Sequence, residues 1–137
     1  MHNIDIIDKT KGYKAEKFIK ESLKKGIEFL LKEEKSREDL SFSLSVALVG
    51  KDEIARLNES YRKKSGPTDV LSFCYNKDKR SVEGEVVLAP EAIKENACNS
   101  GKSFEAELEE VLIHSLLHVY GFNHGKKMFG LQKKFLE

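Results

Sequence analysis

Residues 104–124 read FEAELEEVLIHSLLHVYGFNH. From Val111 to Val119 the side chains are apolar nearly all the way round, a pattern a helix carries when it is buried in a core. Ser103 stands ahead of this run as a good N-cap, and Glu105, Glu107, Glu109 and Glu110 place negative charge near the positive end of the helix dipole. Behind Tyr120, Gly121 suits the left-handed residue that turns a chain back after a helix. The stretch predicts a central buried helix ending at Tyr120, around which the rest of the chain packs.

Working outward, Pro90 fits the first turn of a preceding helix that runs to about Ala97, where NACNSGK ends it. Before that helix, Asp69–Tyr75 and Glu83–Leu88 read as two strands, and the polar NKDKRS between them predicts a hairpin. Ser41–Leu48, SFSLSVAL, alternates strictly, with Phe42, Leu44, Val46 and Leu48 on one side of a half-buried strand. KDEIARLNESYR then gives a short helix that turns Ile54 and Leu57 inward and ends at the basic run and Gly66-Pro67. At the start, Asn3–Ile7 reads as a strand and about Tyr13–Glu34 as an amphipathic helix carrying Phe18, Leu23, Ile27, Leu30 and Leu31. A last short helix begins near Lys126. The order β-α-β-α-β-β-α-α-α predicts an α+β fold, one domain over residues 1–137 with a four-stranded mixed sheet covered by helices.

Composition narrows the function. Apolar residues make up 39% and charged residues 34% of the 137, the balance of a soluble globular protein. MHNIDIIDKT lacks the regions of a signal peptide and no apolar run is long enough to span a bilayer, so a cytoplasmic protein with no membrane partner is expected. With 24 Lys and Arg against 23 Asp and Glu, no global cationic field draws in nucleic acid. An RNA partner would have to use local clusters: Arg62-Lys63-Lys64, Lys77 with Lys79-Arg80, or Lys126-Lys127. Taken alone, each of these reads as a solvated loop or helix face before it reads as an RNA contact. Cys74 and Cys98 stand outside any CxxC pattern and read as core thiols.

Three of the four histidines fall between positions 114 and 124. His114 and His118, at i and i+4, share one helix face one turn apart, and in an apolar helix two imidazoles are costly without partners. Gly121 breaks the helix, and Phe122-Asn123-His124 gives the chain reach to bring a third imidazole to the same point. Three imidazoles suit one Zn2+ per chain, held by His114, His118 and His124 with a fourth position for water. The spacing H-x-x-x-H-x-x-G-x-x-H is also that of the metzincin peptidases, which carry Glu after the first His. Ser115 stands there instead and cannot take a proton as a carboxylate does.

The strings LN-x-x-YR (Leu57–Arg62), PTDVLSF (Pro67–Phe73), GEVVLAPE (Gly84–Glu91) and H-x-x-L-H-x-x-G-x-x-H resemble the YbeY family of bacterial rRNA maturation endoribonucleases. The resemblance covers roughly Leu44–Leu136. Ser115, Glu85 and Asn123 depart from the family's usual Gly, Asp and Asp, and they bear on the groups round the metal more than on its ligands. The resemblance implies a metal-dependent hydrolase, a single-strand-specific endoribonuclease acting in rRNA processing, small-subunit rRNA 3′ end maturation and ribosome quality control. Its implied partners are single-stranded RNA and the ribosomal small subunit or its assembly factors. The family's catalytic arginine maps to Arg62, whose guanidinium can fork onto two phosphate oxygens. Two other readings stay open at this point: a non-catalytic ribosome assembly factor with a structural zinc, and a zinc amidase or peptidase.

Overall fold

In the computed structural model the described residues are 2–10, 12–34, 39–62, 68–123 and 125–137, the side chain of Arg62 excepted. They form nine elements: β1 (Asn3–Asp8), α1 (Glu16–Glu33), β2 (Ser41–Leu48), α2 (Lys51–Arg62), β3 (Val70–Lys77), β4 (Ser81–Leu88), α3 (Pro90–Ser100), α4 (Phe104–Tyr120) and α5 (Lys126–Leu136). The expected α+β architecture is present. Lys63, Lys64, Gly66, Pro67 and His124 lie outside the described residues.

The sheet order is β1-β2-β4-β3. β1 and β2 run parallel, as do β2 and β4, because each pair is joined through a helical crossover, which a parallel pairing requires. β3 pairs antiparallel with β4 as the expected hairpin, which makes the sheet mixed and leaves β3 at its edge. Both hairpin strands are longer than predicted: Asn76 and Lys77 pair with Glu83 and Val82, and β4 begins at Ser81. α3 likewise runs three residues past Ala97, to Ser100, and stops at the left-handed Gly101.

The alternation of β2 decides which face is buried. Phe42, Leu44, Val46 and Leu48 are all at most 2% exposed and join the main core with α1 and α4. Burying each such side chain contributes about 1.5–3 kcal/mol. The opposite face is covered by α2, where Ile54 and Leu57 meet Val49, Leu71 and Val87. α4 is the central helix, packed against β3, β4, α1, α3 and α5. Gly84 on β4 allows the close seating: a Cβ there would lie 2.5 Å from Val119 Cγ1 and 2.7 Å from the Phe73 carbonyl oxygen. Ser103 caps α4 as expected, its Oγ accepting from the Ala106 N–H at 3.1 Å.

The reading of the cysteines is corrected. Cys74 and Cys98 are both exposed, Cys74 on the edge strand and Cys98 in the last turns of α3. The affinity of thiols for cores is weaker than the demand of these elements to turn other residues inward. Among the described residues no helix is long and apolar enough to cross a membrane.

Candidate metal centre and cleft

α4 brings His114 and His118 together as their i,i+4 spacing requires. The ring centroids are 4.7 Å apart and the planes meet edge to face at 80°. Both rings are half-buried and line an open cleft of about 830 Å3 with Tyr61, Thr68, Val70, Ser72, Phe73, Ser115 and Asn123. One wall is therefore α4, and the facing wall is the edge strand β3 with the last turn of α2.

Each imidazole has its Nδ1 side engaged. His118 Nδ1 lies 3.1 Å from the Phe122 carbonyl oxygen, which can only accept, so Nδ1 carries the proton. Gly121 makes this contact possible: with φ at 118° it turns the chain back, and the Gly121 and Phe122 N–H groups cap the Leu117 carbonyl. His114 Nδ1 lies 2.9 Å from Gln132 Oε1 on α5. With Nδ1–H donated in both rings, Nε2 is the lone-pair nitrogen of each, and oriented Nε2 donors are what a metal ligand set needs.

The donor set therefore fits zinc in chemical type. Among the described residues no group of three or more His, Cys, Asp and Glu could hold a metal ion, and the expected third ligand, His124, lies outside them. Its neighbour Asn123 lines the cleft. Arg62 ends α2, its side chain outside the described residues, while Tyr61 before it lines the same cleft as the histidines.

Ser115 is buried, and its Oγ donates to the Val111 carbonyl at 2.8 Å, so its hydroxyl is spent on its own helix. Glu85 accepts a hydrogen bond from the Tyr75 phenol on the other face of the sheet. Three contributors escaped the sequence reading: Gln132, the Phe122 carbonyl and the aromatic wall of Tyr61 and Phe73. Gln132 had a signal, since it is i+4 from the buried Met128 and so adjoins the inward face of α5.

Comparisons with known proteins bear on the family and the fold. The family model described as Endoribonuclease YbeY matches residues 4–137, more of the chain than the motif strings span. A protein of Thermotoga maritima named Endoribonuclease YbeY is 37% identical over 140 residues, covering 98% of this chain and 87% of the relative. One from Staphylococcus carnosus with the same name is 35% identical over 150 residues, covering 100% and 95%. The fold is similar to a Thermotoga maritima protein solved in solution, with a TM-score of 0.60 and 34% identity, over 97% of this chain and 86% of that one.

Proposed function

Because the chain belongs to the Endoribonuclease YbeY family, we propose that it is a zinc-dependent, single-strand-specific endoribonuclease of rRNA processing. The observation that carries the zinc reading is the pair of imidazoles at the cleft, each with Nδ1 hydrogen-bonded to an acceptor. His114, His118 and His124 would hold the ion. Zinc in such a site supplies Lewis acidity toward water and a phosphoryl oxygen.

The chain's own residues do the rest. The Phe122 carbonyl and Gln132 fix ring orientation, so that the ligand nitrogens need not reorganise during the reaction. Arg62 offsets the negative charge that gathers on the non-bridging oxygens of a phosphodiester, and its planar fork favours the charge-rich transition state. Ser115 gives no general base, because a neutral hydroxyl cannot take a proton as a carboxylate does, which disfavours a peptidase. In this reading the protein works in the cytoplasm on the 3′ end of small-subunit rRNA and in ribosome quality control, with the small subunit or its assembly factors as partners.

The test is cleavage of labelled single-stranded RNA by zinc-reconstituted protein, with metal content measured in parallel. His118→Ala and His124→Ala should lose metal and activity together. Arg62→Glu should keep its zinc and lose about 100- to 1,000-fold in rate, the usual cost of removing one transition-state charge stabiliser. Arg62→Lys should be impaired less. Cleavage that survives both histidine changes would refute the zinc reading, and cleavage indifferent to Arg62→Glu would remove the arginine from the mechanism.

A further inference from the structure

We propose that Tyr61, Phe73 and Tyr75 form a stacking platform for unpaired nucleobases, carrying the RNA strand from the catalytic cleft over the edge of the sheet. The inference rests on the endoribonuclease reading above and adds to it a binding site with its ligand class.

The three rings are contiguous. Tyr61 and Phe73 meet edge to face with centroids 5.7 Å apart, and Phe73 and Tyr75 lie within 4° of parallel at 6.4 Å. Tyr61 and Phe73 line the cleft of His114 and His118, and both also line a second groove of about 450 Å3 that contains Tyr75. The aromatic surface is thus continuous from one to the other. Tyr61 is 69% exposed and Tyr75 64%, although large aromatic rings ordinarily bury most of their area. Adjacent exposed apolar surface of this kind marks an interaction site.

Tyr75 shares this face with Phe73 because residues two apart on a strand point the same way. Cys74 pairs with Gly84 and Asn76 with Glu83, so Tyr75 is the extra residue of a β-bulge. The extra residue shifts the pairing that follows it, so that Lys77 pairs with Val82 and faces α4. The Tyr75 ring is held by its phenol, which donates to Glu85, the residue that departs from the family's usual Asp. That bond engages Glu85 Oε1, and Glu53, the other acid of the groove, pairs with Lys9 at 3.3 Å.

The direction of the path fits RNA. Beyond Tyr75 the chain leads to Lys79 and Arg80 at the exposed hairpin turn, while Lys77 faces α4 with its Nζ 4.0 Å from the centre of the Tyr120 ring. A strand of RNA leaving the cleft would meet aromatic faces first and cations next, the combination that single-strand binders use. Stacking uses the π face that every base has, so the platform should tolerate any sequence.

The experiment measures binding of a labelled single-stranded RNA of about 12 nucleotides, a length within the reach of one such groove. Stopped-flow anisotropy reads binding ahead of cleavage. Tyr75→Leu keeps apolar bulk but removes the π face, and it should weaken binding by about 5- to 150-fold, the span of one lost base stack. Tyr75→Phe should recover the affinity that Tyr75→Leu loses. One abasic nucleotide, moved along the RNA, should at one position weaken wild-type binding and leave Tyr75→Leu unaffected. Tyr75 is exposed, so circular dichroism should show Tyr75→Leu folded. If wild-type protein cleaves the RNA and Tyr75→Leu binds it equally well, the platform is refuted and the rings are a protein contact instead. A wild type that neither binds nor cleaves single-stranded RNA refutes the endoribonuclease reading as well.

Discussion

Replacing Gly84 with Ala tests how closely α4, the helix of His114 and His118, must sit on the sheet. The added Cβ would fall 2.5 Å from Val119 Cγ1, 3.3 Å from Val119 Cγ2 and 2.7 Å from the Phe73 carbonyl oxygen. Two of these are closer than real Cβ atoms approach, and neither neighbour moves cheaply. Val119 is 1% exposed, and the Phe73 carbonyl belongs to the paired backbone of β3. Overpacking of this kind costs about 1–3 kcal/mol. Against it, losing a glycine from the unfolded chain stabilises by about 0.4–1 kcal/mol. The net expectation is a loss of about 1–2 kcal/mol, which lowers a urea midpoint by about 0.5–1 M at ordinary slopes. Val119→Ala alone should cost about 1.5–3 kcal/mol through lost burial and a cavity. The double variant is the sharper measurement. Its new Cβ occupies the space that Val119 vacates, so the two losses should fall short of additivity by about 1 kcal/mol, the coupling expected of touching residues. Urea unfolding of all four proteins gives the cycle directly. Strict additivity, or a Gly84→Ala protein as stable as wild type, would refute the argument that contact at Gly84 sets the seating of α4.

Gln132→Leu removes the acceptor of His114 Nδ1 from an exchangeable surface helix, and it should weaken zinc binding about 10- to 100-fold with the fold retained, as competition against a chromogenic chelator would show. An unchanged affinity would mean that Gln132 does not orient the ring. The hydrogen bond to Glu85 is the chief cause, followed by desolvation, that pushes the Tyr75 phenol up to about 12 from its usual 10. Because the folded-state value is the higher, this stabilisation is present below the unfolded pKa and is lost as pH rises through the folded one. Ultraviolet titrations of the wild type and Glu85→Gln should differ by one phenol, late in the wild type and returned toward the normal range in the variant. Ser103→Ala removes the acceptor for the Ala106 N–H and should cost about 1 kcal/mol in urea, leaving zinc stoichiometry untouched.

Much of this molecule is written in short-range periodicity. SFSLSVAL alternates at the period of a strand, so its buried face follows from the sequence alone. The apolar run of Val111–Val119, the Ser103 cap and the Gly121 stop are likewise local events, each settled within a few residues by backbone geometry. The i,i+4 placement of His114 and His118 belongs with them, because one helical turn brings the rings together whatever else the chain does. Other features depend on which segments meet. Gln132 reaches His114 only because α5 folds back along α4, and the outward placement of Cys74 and Cys98 depends on which sides of β3 and α3 their neighbours cover. The bulge at Tyr75 is a mismatch of register between two strands, visible in neither strand by itself. Gly84 reads in sequence as a weak point in a strand, and only the arrival of Val119 from α4 shows that the missing side chain is the requirement. Sequence fixes which face an element presents through the regular spacing of its own side chains, whereas contacts between elements are set by the packing of the whole core, where each position depends on volume contributed from far along the chain.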